Sequence, residues 1–281
     1  MSPTVTYTPR PTRTPPINAA DVGRVDRDVT FCTADGVALK LDLYYPLKVT
    51  SRPAPILVNV HGGSWSGGDK RSSETLEDVP ELLARGYLVA AVNYRLAPKY
   101  RFPAQIEDLK CAIRFLRQNA ATFNLDPAHV GTWGCSAGGH LAALLGLTNP
   151  RDGFDGSGEY ANESSRVQAV VTISGPTDFS LAHYNDGSRA DTLARVFGTT
   201  SITDTRITRA SPVNYVSKRA PPFFILGGDQ DNVVPLAHAE ELYRRLKDAG
   251  ADVSLLVVKN GHHCLPPALP PLEPSRKQVT N

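Results

Sequence analysis

Apolar residues recur along the chain in short runs, as they do in a sheet whose strands alternate with helices. Residues 37–45 alternate apolar and polar side chains, and residues 28–33 precede them across Ala34-Asp35-Gly36. A strand with one exposed face has this period of two, and a short glycine-containing connection is typical of a hairpin. The first two predicted strands therefore form an antiparallel pair.

Six later runs are almost continuously apolar, as strands buried on both faces of a parallel sheet are. These runs are residues 56–60, 87–92, 130–133, 167–173, 223–226 and 253–258. Together with the hairpin they predict a mostly parallel sheet of eight strands.

Helical patterns fill the intervals between these runs. Residues 106–119 carry apolar side chains at i, i+3, i+4 and i+7, and residues 236–249 form a second predicted helix, followed by Gly250 where a left-handed cap is common. Alternating strands and helices predict an α/β fold, a doubly wound sheet with helices on both faces. The long interval 175–217 is predicted to be a small cap-like insertion beside the functional site.

Bulk properties exclude several classes of protein. The chain has 281 residues with a formal charge of +2, and no basic stretch supports nucleic-acid binding. A Pro- and Thr-rich tail, residues 1–20, is expected to be flexible and to precede one domain over residues 21–281. The tail lacks the apolar core of a secretory signal or membrane span, so we expect a cytoplasmic protein.

Four cysteines are scattered along the chain. They are Cys32, Cys111, Cys135 and Cys264, and their spacing matches no metal site. Because Cys135 stands inside a tight-turn motif that a bridge would disturb, the sequence predicts reduced thiols.

The motif Gly134-Cys135-Ser136-Ala137-Gly138 lies between a predicted strand and a predicted helix. A serine on such a turn presents its hydroxyl outward, and the flanking glycines are needed because a Cβ there would meet neighbouring backbone. This arrangement is typical of the nucleophile elbow of a serine hydrolase, with Ser136 as the candidate nucleophile.

The run His61-Gly62-Gly63-Ser64-Trp65 follows another predicted strand. Backbone N–H groups of Gly63 and Ser64, with that of Ala137, are expected to form an oxyanion hole. His61 is expected to shape this glycine turn. Trp65 and Cys135 are predicted to line the substrate site.

A serine nucleophile needs a base and an acid that orients it. His263 is preferred to its neighbour His262, because it stands two residues before the apolar Leu265. Asp231 is preferred to Asp229 as the acid. Asp178 is a more distant alternative for the acid, and His140 is expected to be a core histidine.

These motifs, with Asn93-Tyr94-Arg95-Leu96-Ala97-Pro98 and Phe102-Pro103-Ala104-Gln105, resemble carboxylesterases of the α/β-hydrolase superfamily. The likeness is to the hormone-sensitive-lipase-like group and to bacterial feruloyl and acetyl-xylan esterases, over residues 25–275. It implies an α/β-hydrolase fold and cofactor-free hydrolysis of short-chain or aryl esters through an acyl-enzyme. Ser64 departs from the glycine common at that position, and a closing C-terminal helix is expected to be short or absent.

Two other functions stay open. A His-Gly-Gly-x-Trp turn also resembles arylformamidases, which implies an amidase as the alternative, and a non-catalytic binding protein on the same fold is a further one. The expected partner is a small-molecule or polymer-linked ester, with no cofactor and a possible homo-oligomer.

Overall fold

A computed structural model describes residues 22–48, 52–156, 158–181, 184 and 187–265. The predicted flexible tail, residues 1–20, and the expected lack of a closing helix concern residues outside these ranges. Within these ranges, no helix has both the length and the apolar character needed to cross a bilayer.

The sheet begins with the predicted hairpin, formed by β1 (Arg24–Ala34) and β2 (Val37–Tyr45). Ala34 pairs with Val37, so the turn itself consists of Asp35 and Gly36 only. Both have positive φ, 49° and 74°, which a two-residue turn matching the twist of the strands requires.

Six parallel strands extend the sheet beyond β2, with β4 antiparallel to β2. They are β3 (Ala54–Val60), β4 (Leu88–Val92), β5 (Leu125–Cys135), β6 (Ala169–Ile173), β7 (Phe223–Gly228) and β8 (Val253–Val258). Their spatial order is β1-β2-β4-β3-β5-β6-β7-β8. The mostly parallel, eight-stranded sheet predicted from the apolar runs is confirmed.

Helices connect the parallel strands. They are α1 (Val79–Ala84), α2 (Ala104–Gln118), α3 (Ala120–Phe123), α4 (Ala137–Leu147), α5 (Ala190–Phe197), α6 (Thr205–Ala210) and α7 (Ala237–Asp248). The predicted helices correspond to α2 and α7, and Gly250 has the expected positive φ of 74°.

Both faces of the sheet are covered. Along β4, Ala90 and Val92 belong to the main core cluster, whereas Val89 and Ala91 join a second cluster with Val79 of α1. Side chains alternate between the two faces of a strand, so the two clusters lie on opposite sides of the sheet, as a doubly wound fold requires.

The interval 175–217 contains α5, α6 and the 3₁₀ turn Pro212–Tyr215. Its Phe179 and Phe197 are buried and pack against each other and against Trp65, with ring centroids 5.2 to 5.9 Å apart. The insertion is therefore built onto the same core as the Trp65 turn. Its role as a cap stays a prediction.

The prediction of reduced thiols is wrong. Cys32 is bonded to Cys111, and Cys135 is bonded to Cys264, with Cα–Cα distances of 6.5 and 5.6 Å. Both distances lie in the usual range for disulfides. The partners are 79 and 129 residues apart along the chain, a separation across which sequence spacing carries no information about contact.

Candidate active site

Loops that follow five parallel strands meet at one edge of the sheet. The carboxyl ends of parallel strands share an edge, and β3 pairs with β4 on one side and β5 on the other. Ligands of such sheets bind at the point where the strand order reverses. The turn after β3 and Ser136 after β5 lie at that point, with the Asp231 and His263 loops farther along the same edge.

Ser136 occupies the sharp turn between β5 and α4, with φ 57° and ψ −125°. Its N–H donates to the Ile173 carbonyl at 2.9 Å, and its carbonyl accepts from the His140 N–H at 3.0 Å. A Cβ added at Gly134 or Gly138 would lie 2.5 or 2.0 Å from the Val60 carbonyl oxygen. The two glycines therefore let the turn press against β3, as the elbow motif predicts.

Ala137 is the first residue of α4. An N–H in the first turn of a helix has no partner within the helix and lies at the positive end of the helix dipole. This N–H is suited to stabilise negative charge beside Ser136.

The glycine turn after β3 is rigid. Gly63 has φ 105°, and its carbonyl accepts the N–H groups of Ser66 and Gly67. His61 stacks on Tyr94 with ring centroids 4.2 Å apart, and the Tyr94 hydroxyl donates to the His61 carbonyl at 2.9 Å. The expectation that His61 shapes its own turn is confirmed.

The loops after β7 and β8 bring an acid to a histidine. His263 Nδ1 lies 3.0 and 3.2 Å from the two carboxylate oxygens of Asp231. When Nδ1–H donates to a carboxylate, Nε2 is left with a lone pair that accepts a proton. His262 and Asp229 are both exposed, and the Asp178 carboxylate accepts hydrogen bonds within its own loop, so this contact joins the two preferred residues.

Asp231 is held as a carboxylate. Burial raises the pKa of its carboxyl, but the hydrogen bonds from His263 and the Val234 N–H outweigh burial, so the net pKa is below its ordinary value. The N–H groups of Val233 and Val234 both donate to Oδ1 at 2.9 Å. A fixed negative charge thus lies beside His263 Nδ1.

The Asp231 and His263 loops also touch through their backbones. The Gln230 N–H donates to the Gly261 carbonyl at 2.9 Å. A Cβ on Gly228 would lie 2.0 Å from that carbonyl oxygen, so the close approach requires glycine there. The acid and the histidine are therefore positioned by one compact pair of loops.

Ser174 was not predicted as a site residue. It follows β6 directly, with φ 47°, its Oγ accepts the Cys264 N–H at 3.3 Å, and its side chain helps to lower the pKa of the Asp231 carboxyl. It thereby links the acid to the segment that carries His263. Its position after a predicted strand at the same edge is the sequence signal that identifies it.

Two predicted substrate contacts are not supported. Trp65 is 3% exposed and its indole N–H donates to His140 Nδ1 at 3.0 Å, while Cys135 is 1% exposed and bonded to Cys264. Trp65 lies among the aromatic side chains of the insertion, so its large apolar surface is used in the core.

His140 is the core histidine that the sequence predicts. Nδ1 accepts from Trp65, and Nε2 lies 2.7 Å from the Ala210 carbonyl oxygen at the end of α6. Complete burial lowers the pKa of His140 from 6.5 to about 4. A neutral His140 therefore joins the elbow helix to the insertion.

Acid is expected to weaken the fold through His140. Its folded-state pKa lies below the unfolded value of 6.5, so its stabilisation is complete above pH 6.5 and is lost as the pH falls towards 4. We expect the free energy of unfolding to fall by about 2 to 3 kcal/mol more in the wild type than in His140→Gln between pH 7.5 and 4.5. Urea unfolding of both proteins at both pH values measures this difference, and equal losses would contradict the assignment.

The sheet, the serine elbow and the paired acid and histidine define an α/β hydrolase. The BD-FAE family model matches residues 41–246, and the chain belongs to that family. The resemblance to α/β-hydrolase carboxylesterases is thereby confirmed.

Curated relatives include esterase LipC of Mycobacterium tuberculosis, which is 34% identical over 85% of this chain and 60% of its own length. Esterase LipQ of the same organism is 34% identical over 75% of this chain and 50% of its own length. The chain thus spans only about half to three fifths of these proteins.

Among solved structures, a truncated carbohydrate esterase from gut microbiota has a TM-score of 0.80 and 30% identity, covering 88% of this chain and 92% of its own. Esterase Est2 of Thermogutta terrifontis, at 24% identity, has a TM-score of 0.71 and covers 88% of this chain and 86% of its own. The latter similarity is one of fold.

Proposed function

We propose that the protein is a serine carboxylesterase that hydrolyses short-chain or aryl esters without a cofactor. The observation that carries this proposal is the Asp231–His263 pair at the sheet edge that also holds Ser136 in an elbow. Esterase names among the relatives support the same reaction class.

Each group has a defined role in the proposed reaction. Ser136 Oγ attacks the ester carbonyl carbon while His263 Nε2 takes its proton, and Asp231 stabilises the resulting imidazolium. The carbonyl oxygen becomes an oxyanion, which the N–H groups of Gly63, Ser64 and Ala137 are proposed to bind.

Collapse of this intermediate breaks the bond to the alcohol oxygen. His263 returns the proton to that oxygen, the alcohol leaves, and the acyl group stays on Ser136. Water then attacks the acyl carbon while its proton passes to His263. His263 returns that proton to Ser136 Oγ as the acyl bond to Oγ breaks and the carboxylic acid leaves.

The backbone of Ser136 argues against a non-catalytic binding protein. A non-glycine residue at φ 57° and ψ −125° is in a sparsely populated region, and such residues cost on the order of 1 to 3 kcal/mol. Such backbone strain is expected at a catalytic serine, because the strained turn presents its hydroxyl to the substrate. A binding protein would have no need of it.

The acyl group is proposed to be short. The insertion 175–217 is brief, and its large aromatic side chains Phe179, Tyr184 and Phe197 are buried in the main core of the protein. They are therefore not available to line a long acyl channel. An alcohol carried on a polymer is compatible with this proposal, and carbohydrate esterase is the name of one structural relative.

A substrate panel tests the proposal. We expect the highest kcat/KM on acetyl or butyryl p-nitrophenyl esters, a lower value on octanoyl, and faster turnover of phenyl acetate than of N-formylkynurenine. A maximum at octanoyl or longer would contradict the short acyl site. Preference for N-formylkynurenine would assign the amidase function instead.

We infer an oxidising compartment for this enzyme. The expectation of a cytoplasmic location rests on the N-terminal tail and agrees with reduced thiols, whereas all four cysteines form disulfides. Disulfides persist outside the reducing cytosol of most cells. Fractionation of the producing cells, with thiol labelling of the recovered protein, tests this inference.

A further inference from the structure

The Cys135–Cys264 disulfide joins residues adjacent to the two reacting side chains. Cys135 directly precedes Ser136, and Cys264 directly follows His263. Since neighbouring Cα atoms are about 3.8 Å apart, a Cα–Cα distance of 5.6 Å between the cysteines keeps the Cα atoms of Ser136 and His263 within about 13 Å. The bond therefore limits directly how far the proposed nucleophile and base can separate.

The route of the chain makes this restraint necessary. β5 and β8 are separated by β6 and β7 in the sheet, which places their axes about 14 Å apart. Residues 259–265, which we call the histidine loop, must turn back across the ends of β7 and β6 to reach β5. Positive φ values at Asn260, Cys264 and Leu265, 55° to 61°, produce this reversal.

The histidine loop lies outside the main core and is held by the Asp231 contact, the Ser174 hydrogen bond and the backbone contact at Gly228 as well as by the disulfide. β8 lies at one end of the described sheet, and most of its residues are partly or fully exposed. The loop packs into a small cluster of buried residues rather than into the main core. Its members are Cys135, Ile173, Leu226, Val258, Cys264 and Leu265. Segments with few buried contacts open locally at low cost.

We propose, on the basis of the esterase function above, that Cys135 and Cys264 are positioning residues, whose bond holds His263 in register with Ser136. A displacement of about 1 Å in a catalytic group can lower the rate about 100-fold. Loss of this bond is therefore expected to lower kcat with little change in KM.

The second disulfide supplies a matched control. Cys32 lies on β1 and Cys111 on α2, and three strands, β2, β4 and β3, separate β1 from the β5 strand that leads to Ser136. In the chain-entropy account, stabilisation grows only with the logarithm of the closed loop. Loops of 79 and 129 residues therefore give similar stabilisation, so the two bonds differ chiefly in their distance from the site.

The test compares Cys135→Ala/Cys264→Ala with Cys32→Ala/Cys111→Ala in the full chain. Activity is measured on p-nitrophenyl acetate below both unfolding midpoints and is normalised to the sites that a fluorophosphonate labels at completion. We expect kcat per labelled site to fall about 10- to 100-fold in the first variant, with KM within about twofold. The control variant is expected to keep both constants within about twofold of the wild type.

A second measurement does not depend on activity. The N–H groups of residues 261, 264 and 265 donate hydrogen bonds in the structure. Their amide hydrogen exchange is expected to accelerate at least 10-fold in Cys135→Ala/Cys264→Ala and to be unchanged in the control. Equal kcat losses in both variants, or unchanged exchange in the histidine loop, would overturn the proposal. If the wild type neither hydrolyses esters nor reacts with the fluorophosphonate, the esterase function is refuted. Amide exchange would then still show whether the disulfide holds the histidine loop in place.

Discussion

Replacing Ser136 by alanine is expected to lower kcat on a short-chain p-nitrophenyl ester about 10⁶-fold, the loss found when the nucleophile of a serine triad is removed. Only Oγ is deleted. The N–H bond to the Ile173 carbonyl and the glycine contacts with β3 involve backbone, so the elbow is retained. Steady-state kinetics of the purified variant measure the loss, and fluorophosphonate labelling is expected to disappear with it.

Ser254→Ala is the matched control for this prediction. Ser254 is an exposed residue near the start of β8, at the opposite end of that strand from the histidine loop. Its replacement is expected to leave kcat within about twofold, as surface changes away from special features do. A Ser136→Ala protein that still took up the fluorophosphonate, or lost less than about 100-fold in kcat, would place the nucleophile elsewhere.

The fold was predictable because the inner parallel strands, β3 to β7, are largely buried on both faces. Each apolar run overlaps an observed strand, and the run at 253–258 coincides with β8. β5 is the exception in length, since it begins at Leu125 rather than at Val130. Three of the five extra residues are exposed, yet Leu125 pairs with Ala54 across an irregularity in the ladder, which an apolar pattern does not reveal.

The candidate site was predictable where a residue follows a strand and carries a motif. Ser136, Asp231 and His263 satisfy both conditions, because strand ends in a parallel sheet converge whatever their separation along the chain. Ser174 follows a strand but carries no motif, and a serine after a strand is too common to indicate a site. The Cys135–Cys264 bond satisfies neither, since it depends on the reversal of the histidine loop across two intervening strands.

The oxidation state of Cys135 and Cys264 therefore affects the proposed reaction through the backbone positions of Ser136 and His263. The expected disturbance of the elbow by a bridge considers only the turn in which Cys135 stands and not the loop that carries Cys264. The structure places the disulfide beside an elbow whose Ser136 keeps its φ of 57° and both backbone hydrogen bonds. A crosslink on the residue before the nucleophile is thus compatible with the elbow and links it to the loop that carries the base.

Replacing His263 by alanine is expected to lower kcat about 10⁵- to 10⁶-fold, because Ser136 then has no base to accept its proton. His262→Ala is the matched control, since the same residue type is deleted one position away. His263 Nδ1 contacts Asp231, whereas His262 is exposed, so the control is expected to stay within about threefold of the wild type.

Comparing the two variants distinguishes loss of a catalytic imidazole from damage to the fold of the loop. Both variants alter the same loop, so damage to its fold would lower kcat in both by similar factors. A large loss confined to His263→Ala requires the imidazole itself, and a larger loss in His262→Ala would reverse the assignment. Asp231 is buried and accepts hydrogen bonds from two backbone N–H groups. Its carboxylate therefore cannot move to contact His262 unless its own loop changes conformation. For this reason only one of the two neighbouring histidines can serve as the base.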